Sequence, residues 1–207
     1  ICGGVGVCLS VANSTVNLNN CTVSGCVKSS KIGNYGGIYV QNTQLIMSDC
    51  TVSDNVAGAN TQNGGGGITL KDNSSLVGSD LTINGNTGYG IFSNGCSVQL
   101  KDSTISSNVG SSSNGVYGTI YVKKVNNVMP EVVINNTKIN NNGAGITLEN
   151  ISGSISNVTI AENGGGIKLK DFAEGFTLEQ VSIENCEDTV ILSVESANSF
   201  HAINCTF

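Results

Sequence analysis

Arginine and tryptophan are missing from this 207-residue chain, and proline and histidine occur once each, as Pro130 and His201. Without arginine there is no planar fork to grip phosphate or carboxylate, and a formal charge of −6 makes nucleic acid or an anionic membrane surface an unsuitable partner. Aromatics at 5% require a core of many small aliphatic side chains instead of a few large rings. No apolar run reaches the roughly 18 residues of a spanning helix, so no direct membrane insertion is expected. The opening Ile1-Cys2-Gly3-Gly4 has neither an initiator methionine nor a signal-peptide pattern, and reads as the start of a mature protein or a fragment. Charged residues make up only 12%, but the abundant Asn, Ser and Thr, mixed with Val and Ile, suit ordered strands better than disorder.

What the chain has in quantity is one repeated pattern. Ile160-Ala161-Glu162-Asn163-Gly164-Gly165-Gly166-Ile167-Lys168-Leu169 is its clearest copy. Aligned on the apolar residue before each corner, the copies place Val23, Val52, Ile83, Ile105, Ile139, Ile160, Ile183 and Phe207 in one column. Two residues earlier stand Cys21, Cys50, Leu81, Ser103, Thr137, Val158, Val181 and Cys205, and five and seven residues earlier stand further, mostly apolar columns. Period two with one apolar face is the signature of a half-buried strand. A second strand follows each corner, with inward pairs Ile38/Val40, Ile68/Leu70, Ile91/Ser93, Ile120/Val122, Ile146/Leu148, Ile167/Leu169 and Val190/Leu192. Strand patterns stay constant while spacings vary, so the extra residues (56–65, 109–116 and 123–130) are insertions on the surface of a coil. Short strands joined by corners too short for helices predict an all-β, right-handed, single-stranded parallel β-helix of about eight rungs, one domain over 1–207 and a segment of a longer solenoid.

Three residues after the anchor stand Asn55, Asn86, Asn108, Asn142 and Asn163, with Cys26 and Cys186 at the same place near the two ends. Stacked in register, each amide donates to the next, and asparagine also tolerates the left-handed backbone of a sharp corner.

The Gly-Gly-x-aliphatic segments at Gly36-Gly37-Ile38, Gly66-Gly67-Ile68 and Gly164-Gly165-Gly166-Ile167 resemble right-handed parallel β-helix repeats, including those of chlamydial polymorphic outer-membrane proteins. The second motif of that family, aromatic-x-x-Asn, is matched loosely, because Val52, Ile83, Ile105, Ile139 and Ile160 stand where the aromatic would be. The resemblance implies an extracellular, adhesive role.

Many parallel β-helices act on polysaccharides, and the resemblance therefore also raises a carbohydrate-binding or carbohydrate-active alternative. Lyases of this fold resemble one another in using an arginine or lysine base beside a calcium-binding carboxylate cluster, and hydrolases in pairing aspartates with a nearby histidine. His201 has no acid adjacent in sequence. No catalytic residue, metal ligand or cofactor site is assigned. The outward column Asp49, Asp80, Asp102 is the best candidate for a Ca²⁺ or sugar, against which stands screening by solvent, Lys71 and Lys101. A row of outward threonines (Thr22, Thr51, Thr82, Thr104) resembles one half of an ice-binding face, but its expected partner column is Asn/Asp. Threonine's strand propensity accounts for the row.

Eight cysteines and seven N-x-S/T sequons, at Asn13, Asn20, Asn73, Asn135, Asn150, Asn157 and Asn204, point to a secretory route and an extracellular or cell-surface location. The frame pairs Cys26 with Cys50 and Cys186 with Cys205 as expected disulfides, with a Cys21/Cys50 ladder of free thiols as the alternative. The expectation is a non-catalytic structural or adhesive β-helix whose partners are copies of itself or other extracellular proteins and glycans.

Overall fold

The computed structural model describes residues 8–27, 35–57, 64–109, 119–187, 191–196 and 198–207. The expected corner at 3–7 and most of the insertions 56–65 and 109–116 lie outside these residues. Among the described residues the secondary structure is all strand, in two parallel sheets. Eight short strands, Leu9–Ala12, Ile38–Gln41, Ile68–Lys71, Ile91–Asn94, Ile120–Lys123, Ile146–Glu149, Ile167–Lys170 and Leu192–Glu195, pair in that order to make the return sheet. Twelve others make the front sheet. In its first four coils the front wall is split, as in Thr15–Asn19 and Thr22–Ser24, whereas Glu131–Asn140, Ser152–Ala161 and Phe176–Glu184 are each one strand with a left-handed residue inside it. Each strand pairs with its counterpart one coil away, so the chain winds a solenoid of about seven turns.

The register is the one that the apolar columns dictate. Val23 pairs with Val52, Val52 with Ile83, Ile83 with Ile105, Ile105 with Ile139, Ile139 with Ile160 and Ile160 with Ile183. These side chains are at most 2% exposed, and truncating a buried isoleucine of this kind to alanine costs about 2–5 kcal/mol. Gly78 interrupts an inward column, but Leu81 and Leu100 fill the place that its Cβ would take. One register differs from expectation. Leu192 pairs with Ile167 and Val194 with Leu169, so the last inward pair is Leu192/Val194 instead of Val190/Leu192, and Val190 lies outside the described residues. A shift by two keeps every side chain on its own face, so period-two patterning alone does not distinguish the registers.

The asparagine ladder forms. Asn55 Nδ2 donates to Asn86 Oδ1 (2.9 Å), Asn86 to Asn108 (2.9 Å), Asn108 to Asn142 (3.0 Å) and Asn142 to Asn163 (2.9 Å). Each Oδ1 also accepts the backbone N–H of the preceding ladder residue, beginning with Cys26 N–H on Asn55 Oδ1 at 3.0 Å. Left-handed backbone is not the ladder residues' own contribution: it sits one residue earlier, at Gly25, Asp54, Gly85, Ser107, Asn141, Glu162 and Asn185. The same conformation recurs at the Asn/Asp/Gln column three before the anchor, from Asn20 (φ 50°) through Asp49, Asp80, Asp102, Asn136, Asn157 and Gln180 to Asn204. That column is a corner, which explains its composition, since short polar side chains visit this region at least cost. The glycines after the ladder answer a different demand: a Cβ on Gly145 would strike the carbonyl oxygen of Gly166, and one on Gly166 that of Ile191.

Both expected disulfides are corrected. Cys26 is bonded to Cys8, with Cα atoms 5.7 Å apart, while Cys50, Cys186 and Cys205 are free. The ladder position looks toward the return-sheet corner where Cys8 lies, and Cys50 stands on the far side of the intervening strand with its sulfur on Ser48 O (3.1 Å) and Leu18 O (3.5 Å). Likewise Cys186 Sγ donates to Glu184 O (3.6 Å) and Cys205 Sγ to Leu178 O (3.5 Å). Axial proximity brings such pairs to neighbouring coils but not to the same side of the coil.

Candidate functional site

The outer face of the return sheet carries two columns. Between the inward residues project Tyr39, Thr69, Phe92, Tyr121, Thr147 and Lys168, paired in register. Two residues on, the second column reads Gln41, Lys71, Asn94, Lys123, Glu149, Lys170, Glu195. From Lys123 onward its charges alternate, so Lys123 has Glu149 as a neighbour one strand away and Lys170 lies between Glu149 and Glu195. Cross-strand pairs of opposite sign favour this register by a few tenths of a kcal/mol each, on the order of 0.2–1 kcal/mol.

Phe92, Tyr121 and Tyr89, which enters from the corner, form an aromatic cluster on this outer face, with ring centroids 5.2–5.6 Å apart. All three are at most 8% exposed, so the cluster is a small second core and not an open stacking platform. Two lysines close its edges. Lys71 Nζ lies 5.1 Å from the Phe92 ring centre, and Lys123 Nζ lies 5.8 Å from that of Tyr121. Burial and then repulsion from Lys123 lower the Lys71 pKa. Between these lysines in register, Asn94 Oδ1 is buried without a hydrogen-bond donor.

The accessible part adjoins this cluster. Tyr35 stacks on Tyr39 with centroids 4.4 Å apart, Lys71 Nζ lies 6.0 Å from the Tyr35 ring, and Gln41 Nε2 donates to Asp72 Oδ2 at 2.5 Å. Burial raises the pKa of both tyrosines. Two phenol rings, an ammonium, a carboxamide and a carboxylate on one patch can dock a partner through ring contact and directed hydrogen bonds. The inward apolar columns of the sequence do not disclose this patch. Its signal was present in the aromatic residues at 39, 92 and 121, each lying between two inward positions.

The other candidates are dispersed. Asp102 Oδ1 accepts from Asn136 Nδ2, and its Oδ2 lies 3.4 Å from Lys101 Nζ. The Asn136 hydrogen bond holds the Asp102 carboxyl below the usual carboxylate range. Among the described residues no group of three or more His, Cys, Asp or Glu is placed to hold a metal ion. His201 is exposed and pairs in register with Thr177. The outward partners of Thr22, Thr51, Thr82 and Thr104 are Ser24, Ser53, Asn84 and Ser106, two residues on along the same short strands, because the Asn/Asp column has turned away at its corner. Of the sequon asparagines, Asn13, Asn20, Asn73, Asn157 and Asn204 are exposed at left-handed turns. Asn150 is half-buried at such a turn, and Asn135 lies in a strand with its amide donating to Ser156 Oγ at 2.7 Å.

A family model described as a right-handed β-helix region matches residues 2–105. No curated protein and no solved structure matches the chain.

Proposed function

The chain belongs to the right-handed β-helix family, and on that premise we propose that it is a non-catalytic, extracellular β-helix serving as a structural or adhesive part of a cell-surface protein or fibre. The observation that carries this reading is how the outer polar groups are used. They bond to their counterparts one coil away instead of converging on a point: Asn19 Nδ2 on Ser48 Oγ (2.6 Å), Gln99 Nε2 on Glu131 Oε2 (3.2 Å), Asn135 Nδ2 on Ser156 Oγ (2.7 Å), and Asn157 Nδ2 on Asn136 Oδ1 (2.9 Å). Donors spent along the axis make a stiff wall. The Cys8–Cys26 disulfide and the exposed sequons support passage through an oxidising, glycosylating compartment.

The Tyr35/Tyr39/Lys71 patch favours a second reading, in which the wall binds carbohydrate. Purified protein on a glycan array, in a cell-adhesion assay and in a reducing-end assay with plant and microbial polysaccharides separates the two. Cell adhesion, or association of copies in sedimentation, without release of reducing ends supports the proposal. Turnover of any polysaccharide overturns it. Array binding abolished by Tyr39→Ala supports the second reading.

A further inference from the structure

We propose that Cys21 and Cys50 form a second disulfide, stapling the first two coils of the front sheet, when the folded chain meets a low-molecular-weight disulfide such as oxidised glutathione. The two residues hold the same place in successive coils, immediately before the paired Thr22 and Thr51. Parallel neighbours stand ~4.8 Å apart, inside the roughly 4.4–6.8 Å between Cα atoms that a disulfide spans. Cys50 Sγ accepts the Cys21 backbone N–H at 3.4 Å, which puts the Cys50 sulfur directly against Cys21. Each follows a left-handed residue, Asn20 or Asp49, so neither lies in the flat part of the ladder. Elsewhere in this column the residues are Leu81, Ser103, Thr137, Val158 and Val181, and Cys205 therefore has no thiol one coil before it.

The two thiols differ in the way a stepwise oxidation requires. Cys21 is half-exposed and Cys50 is 2% exposed. The Cys21 thiolate attacks one sulfur of the glutathione disulfide, forming a mixed disulfide and releasing one glutathione thiolate. Cys50 then gives its proton to solvent and attacks the Cys21 sulfur, which forms the Cys21–Cys50 bond and expels the second glutathione. Two protein thiols lose two electrons and two protons, and one glutathione disulfide becomes two glutathiones. Burial pushes the Cys50 thiol up, so closure is the slow step and quickens as pH rises. The chemistry belongs to the purified chain and holds whether or not the extracellular reading does.

The test is to incubate folded protein in glutathione redox buffers, quench with iodoacetamide and digest with trypsin without reduction. Cleavage after Lys28, Lys31 and Lys71 separates fragment 1–28 from fragment 32–71, which carries Cys50 as its one cysteine. The expected product is the two fragments joined, with fragment ions placing the bridge at Cys21 and Cys50 and with Cys8–Cys26 intact. Its rate of formation should rise about tenfold per pH unit while Cys50 is mainly protonated. Cys21→Ser should leave Cys50 alkylated at every redox ratio. Finding both cysteines alkylated wherever Cys8–Cys26 remains oxidised overturns the proposal. So does a bridge from Cys50 to Cys26 or Cys8, or one that persists in Cys21→Ser.

Discussion

Replacing Asn108 with alanine tests whether the internal ladder holds the coils together. Asn108 sits mid-ladder at 1% exposure. Its Oδ1 accepts from Asn86 N (3.1 Å) and Asn86 Nδ2 (2.9 Å), and its Nδ2 donates to Ile83 O (3.0 Å), Ser106 O (3.1 Å) and Asn142 Oδ1 (3.0 Å). Its own N–H still reaches Asn142 Oδ1 after truncation, and Asn86 Nδ2 keeps Val52 O. The Asn86 N–H and the Ile83 carbonyl lose the side-chain partner they had. Leaving a buried polar group unpaired costs about 1–3 kcal/mol, so two such groups and the vacated amide volume amount to about 3–6 kcal/mol. For a chain of this size each kcal/mol moves Tm by about 2–4 °C, which puts the expected fall at about 6–24 °C. The control is Asn136→Ala, in the ladder on the outer wall. Asn136 also stacks, between Asp102 and Asn157, but water reaches it and can replace its partners. Its loss should cost no more than about 1–2 kcal/mol, most of it the strain of alanine at a φ of 46°. Chemical denaturation of both variants, with m compared to the parent, separates them. Equal losses, or a loss below about 1 kcal/mol for Asn108→Ala, would refute the argument that burial gives the ladder its strength.

Other outcomes follow from particular residues. Reducing Cys8–Cys26, or replacing both cysteines by serine, releases a link between residues 18 apart and should lower stability by about 3 kcal/mol on the chain-entropy model, read by melting with and without reductant. Gly166→Ala drives a methyl into the Ile191 carbonyl and should destabilise by several times more than Gly175→Ala, where φ is +80° but nothing lies within 4 Å of a Cβ; urea midpoints of the two variants decide. Asp102 should titrate below the ordinary carboxylate range by NMR. A carboxyl with a depressed folded pKa stabilises above its unfolded pKa and loses that contribution as pH falls through the folded one, so Asn136→Ala should move the Asp102 titration upward. Material from a secretory host should carry glycans at Asn13, Asn73 and Asn204 and none at the strand residue Asn135, as read by peptide mapping after glycosidase release.

How far the sequence could be read depended on which geometric coordinate a residue reports. Strict alternation around Val52, Ile83 and Ile105 fixes which face each residue takes and, coil by coil, its axial neighbour, so nearly the whole register was legible. It says nothing of a slip by two, which is where Leu192 and Val194 departed from expectation. Asparagine was ambiguous because it serves two ends: Asn108 is there for its amide, Asn136 for its left-handed backbone, and the letter is the same. Cysteine spacing reported distance along the axis but not angle around it, so Cys26 met Cys8 and not Cys50. The return-sheet patch stayed hidden because its residues, Tyr35 and Tyr39 among them, come together through corner geometry that one strand's pattern does not encode.

The parallel pairing of every coil with the next also has a mechanical meaning. Because the backbone hydrogen bonds run along the solenoid axis, a pull on its two ends loads successive interfaces in series, and each bears the full force. Strength under such a pull is therefore set by the weakest interface, not by the number of coils. A sideways load is different: it is shared across the two sheets and all their strands at once. A tether built this way would peel open coil by coil at nearly constant force, lengthening as it dissipates work, instead of snapping at a single threshold.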